Sequence, residues 1–306
     1  MISKQKIIYS ILEKYENLLQ AYWSYTTRPM YSKTITRGTN GYSDASVAVV
    51  LQGPIINKNN FTYETLKLYV RRYPNCKLIV STWKGSDSYN EFEKLKNVYV
   101  CLSDKPVPGR GNINMQKVST LAGIEKAKEL GCNYVLKTRT DHRIYGEEVI
   151  KFCLKMIERF PVKGDIKAKS RLITTSTGTF KSRLYNICDM FLFGHIEDIE
   201  QFFNAPTVGN LPVGFKYDES DVVEYAKSRP GEIHFTVNYL EKCGHEVLWT
   251  KEDSDFVRNN YFIVIDNSTL DILWPKYDHK EYRWKSYDEK FYLQQCTFTE
   301  WMSNQE

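Results

Sequence analysis

Between Val47 and Ile265 the chain alternates short continuous apolar runs with longer segments of helical periodicity. Val47-Ala48-Val49-Val50-Leu51 holds no polar position, the pattern of a strand buried on both faces. It stops at Gln52-Gly53-Pro54, a turn signal. Helical spacing runs from Phe61 to Tyr73 and ends at Pro74, and Lys77 to Trp83 reads as a second strand. Asn97 to Leu102 is a third strand. The helix predicted from Gln116 to Leu130 has Val118, Leu121, Ala122, Ile124 and Ala127 on its apolar side and Gly131 past its end. Tyr134-Val135-Leu136 is again a buried strand, and Val149, Phe152, Cys153, Met156, Ile157 and Phe160 mark one helix face. Further strands are predicted at 171–176, 188–193 and Tyr261 to Ile265, and helices at 196–203 and Pro230 to Cys243. Strand, helix and strand in succession imply parallel βαβ units. The expected fold class is therefore α/β: a mostly parallel, Rossmann-like sheet with helices on both faces.

The flanks differ. Residues 1–25 carry Ile7, Ile8, Ile11, Leu12, Tyr15, Leu18, Leu19, Tyr22 and Trp23 at helical spacing. They read as a helix packed on the domain or as a membrane-surface or partner helix. Residues 26–45, rich in Thr, Ser, Gly and Arg, read as a linker. The segment 277–301 mixes Tyr277, Tyr282, Trp284, Tyr287, Phe291, Tyr292, Phe298 and Trp301 with Lys276, Lys280, Arg283, Lys285 and Lys290 close by. It suits an extension packed across the domain, or a lid, acceptor wall or membrane-facing surface. The expected organisation is residues 1–45 as N-terminal helix and linker, 46–275 as catalytic domain and 276–306 as C-terminal extension.

A chain of 306 residues, 42% hydrophobic, can bury a substantial core. Lys and Arg outnumber Asp and Glu by 42 to 37. This mild basic balance suits phosphorylated ligands or an anionic lipid surface and is too weak and scattered to argue for nucleic acid. The seven cysteines form no CxxC pair and read as reduced core residues of a cytosolic protein. No uninterrupted apolar core occurs in residues 1–20, and no run approaches the ~20 apolar residues that span a bilayer. The expected location is the cytoplasm, with peripheral contact on the inner face of the membrane.

In open parallel sheets ligands bind outside the carboxyl ends of strands. The strand ends here carry Gln52-Gly53-Pro54-Ile55, Ser81-Thr82-Trp83 and Lys137-Thr138-Arg139-Thr140-Asp141-His142-Arg143. The last is the most informative. A carboxylate there can hold Mg²⁺ or Mn²⁺, and Arg139 and Arg143 can neutralise phosphate charge. The same residues also suit an ion-paired loop between strand and helix. No GxSxG elbow, P-loop, HExxH or GxGxxG after the first strand is present.

Four stretches together resemble the WavE family of lipopolysaccharide-synthesis proteins: Val49 to Ile55, Ile79 to Trp83, Asn112 to Gln116 with Ser119 to Gly123, and Tyr134 to Asp141. The resemblance covers about residues 47–145 and continues more loosely through Phe191-Leu192-Phe193-Gly194 and Pro230 to Gly244. It implies a GT-A-type glycosyltransferase that takes a nucleotide-sugar donor and builds lipopolysaccharide or capsule on a glycan or lipid-linked acceptor. GT-A enzymes usually place two Asp, one residue apart, at this strand end; here Arg139 replaces the first, leaving Asp141 as the metal ligand. By position Gln52, Gly53 and Thr82 would line the nucleoside pocket, Asn114 and Gln116 would reach the donor from the helix start, Arg139 would contact the diphosphate, and Pro54 and Thr140 are further donor-binding candidates. An inverting enzyme also needs a general base. Glu232, two residues after Pro230, fits that role, or complements the helix N-terminus; that terminus would lower its pKa. Asp218, Glu219 and Asp221 are the next candidates. The rival functions are a nucleotidyltransferase of sugar phosphates and a non-catalytic glycan- or lipid-binding protein. The first would carry a basic loop after the first strand, and Gln52-Gly53-Pro54-Ile55-Ile56 has no base.

Overall fold

The computed structural model describes residues 28–34, 46–86, 89–212, 215, 217–274 and 294–305, together with positions 8, 10–14, 18 and 44. The chain forms two compact units, Met1–Ile35 and Thr36–Glu306. In the first, positions 8, 10–14 and 18 are helical, with Ile8, Ile11 and Leu18 exposed. Other positions of the expected N-terminal helix, such as Leu19, Tyr22 and Trp23, lie outside the described residues.

The second unit is built on a seven-stranded sheet. Its strands are β1 (Val47–Gln52), β2 (Lys77–Trp83), β3 (Val98–Ser103), β4 (Tyr134–Arg139), β6 (Leu172–Thr175), β7 (Leu192–His195) and β8 (Phe262–Ile265), ordered β3-β2-β1-β4-β7-β6-β8. All neighbours pair in parallel except β7, which runs antiparallel to both β4 and β6. The short strands β5 (Arg143–Ile144) and β9 (Ile272–Leu273) form a separate antiparallel pair. β1 is buried at every position, as its apolar run requires. The expected α/β, mostly parallel sheet is present.

Helices α1 (Phe61–Arg72), α2 (Ile113–Glu129), α3 (Val149–Arg159), α4 (Ile196–Phe203) and α6 (Gly231–Lys242) fall close to their predicted spans. Helices α5 (Val222–Lys227) and α7 (Lys251–Tyr261) were not predicted, and α8 (Phe298–Ser303) lies within the C-terminal extension expected to be helical and aromatic. α7, with sequence KEDSDFVRNNY, hides its apolar side among polar residues, and Thr250 caps it by accepting from Asp253 N. In α8 a capping box joins Thr297 to Glu300, and fully buried Trp301 donates to the Phe262 carbonyl at 2.9 Å. That end of the C-terminal segment is thus packed on β8; its residues 277–293 lie outside the described residues. All seven cysteines are free, and every one but Cys101 is buried. Among the described residues no helix is long and apolar enough to cross a membrane.

Gly123 sets how closely α2 approaches the sheet. A Cβ there would meet Val50 Cγ1 at 2.4 Å. Gly123→Ala therefore forces helix and strand apart despite its better helix propensity, and overpacking of this kind costs about 1–3 kcal/mol. A drop in melting temperature of roughly 2–10 °C is expected in a thermal scan, and an unchanged midpoint would show that the contact relaxes freely.

Candidate functional site

The carboxyl ends of β1, β2 and β4 meet at one edge. Gly53 N donates to Ser81 O at 3.0 Å, Thr140 N donates to Gln52 O at 3.1 Å, and Thr140 Oγ1 donates to Pro54 O at 2.6 Å. Gly53 adopts φ +120°, and a Cβ there would stand 3.1 Å from Thr140 Oγ1. Gln52, Gly53, Pro54 and Thr140 are thus joined into one rigid seam. Ser119 Oγ donates to Gln52 Oε1 at 2.8 Å. Thr82 is fully buried, and its hydroxyl has no hydrogen-bond partner among the described residues. Directly beyond Pro54 opens a cavity of about 540 Å³ lined by Ile55, Asn57, Asn60, Tyr63, Phe92 and Lys94 among others. Tyr63 and Phe92 stack there with ring centroids 5.9 Å apart.

Arg139 and Asp141 form a two-pronged ion pair: Nε to Oδ1 at 2.7 Å and Nη2 to Oδ2 at 2.9 Å. Trp274 Nε1 donates to the same Oδ2 at 2.9 Å, and the Arg139 guanidinium lies 5.1 Å from the Trp274 ring. Burial opposes ionisation of Asp141, yet the Arg139 hydrogen bonds, the charges of His142 and Arg139, and the Trp274 donor together hold its carboxyl at about 2. Three protein hydrogen bonds occupy most of the lone-pair capacity of this carboxylate. Among the described residues no three His, Cys, Asp or Glu side chains gather to hold a cation. The donor set therefore fits Asp141 as an anchor for Arg139 better than as a ligand for Mg²⁺ or Mn²⁺.

The sign of this shift gives a test. A carboxyl held below its ordinary 3.8 contributes stability above that pH and loses it as pH falls toward about 2. Asp141→Asn should cost about 2 kcal/mol at pH 7, roughly 4–8 °C in melting temperature, with the gap narrowing below about pH 4 and closing at about 2. Its dependence on added Mg²⁺ or Mn²⁺ should match that of the wild type. A tenfold rise in the cation concentration needed for activity would place the metal on Asp141 after all.

Other predicted residues are occupied structurally. Arg143 is 2% exposed, donates to Thr65 Oγ1, the Tyr145 hydroxyl and Phe61 O, and lies 4.4 Å from the Phe61 ring. These contacts brace α1. Asn114 donates to Val107 O and Val208 O and accepts from Val208 N, so its amide clamps two loops. The Gln116 Nε2 is buried and has no hydrogen-bond partner among the described residues.

A second group was not read from the sequence as one site. Lys137, fully buried on β4, donates from Nζ to the Asp189 carbonyl at 2.5 Å. Burial lowers its pKa to about 8, while the charge of Asp189 opposes that fall. Asp189 is itself 5% exposed and immediately precedes the lead-in to β7. Because β7 is antiparallel to β4, its amino end lies at the edge where β4 ends. The expected strand at 188–193 starts later, at Leu192, and so leaves Asp189 outside the ladder.

Glu232 sits in the first turn of α6 and keeps some accessible surface, while its carboxyl end is enclosed. Its pKa is raised to about 7, first by burial and then by the negative charge of Asp189, with Arg183 and Lys137 opposing. The expected lowering by the helix terminus is corrected: desolvation and a like charge outweigh a terminus effect of about 0.3–1 kcal/mol. The three alternative carboxylates are exposed and engaged locally. Asp218 accepts from Ser220, Glu219 pairs with Arg183, and Asp221 caps α5.

No curated protein matches the chain. Among solved structures, the mannose-1-phosphate geranyltransferase from Thermus thermophilus is similar at 13% identity and a TM-score of 0.29, over 44% of this chain and 44% of that one. The model of the family described as WavE lipopolysaccharide synthesis matches residues 47–230, which include β1 through α5 and so both charged groups except Glu232 and Trp274. That match spans more than half of the sequence, and the chain belongs to the WavE lipopolysaccharide synthesis family.

Proposed function

We propose that the protein is an inverting glycosyltransferase of the GT-A type that moves a sugar from a nucleotide donor to a growing lipopolysaccharide or capsular glycan. The reading is carried by Glu232: a carboxyl in the first turn of α6 whose pKa burial and the charge of Asp189 raise to about 7, beside the edge where β4 delivers Lys137 and Arg139. A general base works best with a pKa near the operating pH. Glu232 takes the proton of the acceptor hydroxyl as that oxygen attacks the anomeric carbon. Arg139, held in place by Asp141 and Trp274, stabilises the negative charge that gathers on the departing nucleoside diphosphate. The cavity beyond Pro54, with its stacked Tyr63 and Phe92, takes the nucleoside. The acceptor is a glycan or lipid-linked saccharide reached from the cytoplasmic side of the membrane, and residues 46–275 form the catalytic domain.

The deciding experiment supplies UDP-, GDP- and CDP-linked sugars with lipid-linked oligosaccharide acceptors. Glycosyl transfer releases a nucleoside diphosphate and yields a product of opposite anomeric configuration. Pyrophosphate release from a nucleoside triphosphate and a sugar phosphate would instead identify a nucleotidyltransferase. Glycan binding without either release would identify a binding protein.

A further inference from the structure

Lys137, Asp189 and Glu232 leave hydrogen-bonding capacity unused. Asp189 is 5% exposed, and no described residue donates a hydrogen bond to its carboxylate. Lys137 uses one N–H on the Asp189 carbonyl and turns its ammonium over the Phe203 ring at 4.7 Å. Its remaining N–H groups meet no described acceptor. The Glu232 carboxyl meets its own backbone N–H and no side-chain donor among the described residues. Buried polar groups are nearly always satisfied, so a concentration of unsatisfied donors and acceptors needs an explanation. A polyhydroxylated ligand supplies the missing donors: its hydroxyls donate to carboxylates.

Place decides which sugar this is. In a single displacement the base, the anomeric carbon and the leaving oxygen lie in line, so the transferred sugar sits between base and diphosphate clamp. Lys137 interacts electrostatically with Asp189, Arg139 and Asp141. Glu232 in turn interacts with Asp189 and Lys137. Asp189 therefore neighbours Glu232 and, through Lys137, the strand end that carries Arg139.

We propose that Asp189 binds the transferred sugar, its carboxylate accepting hydrogen bonds from sugar hydroxyls while Lys137, hydrogen-bonded to the Asp189 carbonyl, holds that residue in place. This rests on the glycosyltransferase reading. It also selects substrate: a neutral sugar carrying free hydroxyls is taken, and one carrying its own carboxylate is repelled by Asp189 and Glu232.

The test is a binding cycle on the full chain, with UDP-, GDP- and CDP-linked hexoses, UDP-glucuronate and the free nucleoside diphosphates as probes. The best-bound neutral nucleotide sugar should bind more tightly than its own diphosphate. Asp189→Asn should remove about tenfold to a hundredfold of that advantage, with affinity for the free diphosphate unchanged. Asp189→Asn should also move the acid limb of the kcat/KM profile below about 7, because a negative charge beside Glu232 is gone. In the wild type, at least one deoxy analogue of that sugar should lose the same factor, a readout that needs no variant to fold. If no nucleotide sugar outbinds its diphosphate, or if Asp189→Asn and every deoxy analogue keep the advantage, Asp189 does not hold the sugar. Tighter binding of UDP-glucuronate than of UDP-glucose would overturn the preference for neutral sugars. A failure of any diphosphate to bind would instead defeat the glycosyltransferase reading itself.

Discussion

Replacing Glu232 by glutamine is expected to lower kcat by about 10²–10⁴-fold while leaving the affinity for the nucleoside diphosphate little changed. Glutamine keeps the shape of the side chain and removes its ability to accept a proton. The wild-type kcat/KM should fall tenfold for each pH unit below about 7, since Glu232 works only when ionised. The variant should show no such limb. A loss of less than about tenfold, or a limb that survives the substitution, would remove Glu232 from the reaction. Asp189 would then be the next carboxylate to examine, because Asp218, Glu219 and Asp221 are exposed and locally bonded.

The same substitution has a stability signature of the opposite sign. Glu232 has a folded pKa raised from 4.5 to about 7. Its contribution is fully present below 4.5 and is lost as pH rises through 7, where the folded state must hold an enclosed charge. The full shift corresponds to a ceiling of about 3 kcal/mol, reduced by whatever water reaches the residue. Glu232→Gln should therefore melt higher than the wild type at pH 8 and close to it at pH 4.5. A residue retained at that cost suits a role in turnover better than a role in folding.

Most of the sheet was legible because its strands are apolar on both faces and its helices carry clear periodicity. β1, β2, β4 and α4 fall within a few residues of where the sequence puts them. The strand-end rule also located Arg139, Asp141 and the seam of Gln52, Gly53, Pro54 and Thr140. What it could not supply is direction. A rule that inspects only carboxyl ends passes over Asp189, which reaches the same edge from the amino end of an antiparallel strand. The available signal was an acidic residue just ahead of the apolar run Phe191-Leu192-Phe193. Charge type was equally ambiguous. Arg139 and Arg143 look alike in sequence, yet one stays 22% exposed at the edge and the other is buried against Phe61 and Thr65. For Glu232, sequence shows the helix terminus, a small effect, but not the enclosure and the neighbouring Asp189 that outweigh it.

Arg139→Lys is expected to lower kcat by about 10²–10³-fold and to weaken nucleoside diphosphate binding. Lysine keeps the positive charge, so the substitution isolates geometry. Arg139 is held by a fork on Asp141 through Nε and Nη2, and its guanidinium lies over the Trp274 ring. That arrangement fixes a planar cation at the end of β4 before any ligand arrives, and a preorganised charge costs no reorganisation as the leaving group departs. A lysine at the same position has a flexible stem and no fork, so it would swing between Asp141 and the ligand. Asp141 would keep the Trp274 donor but lose two hydrogen bonds, so its carboxyl should titrate above about 2 and the fold should weaken at neutral pH. Affinity is therefore best measured by calorimetric titration well below the melting point of either protein, where a change in stability does not register as a change in binding. If diphosphate affinity stays within about twofold of the wild type while kcat falls, Arg139 acts on the transition state alone. If both are unchanged, the pair it forms with Asp141 is a brace for the β4 loop, and the diphosphate clamp lies elsewhere on this edge.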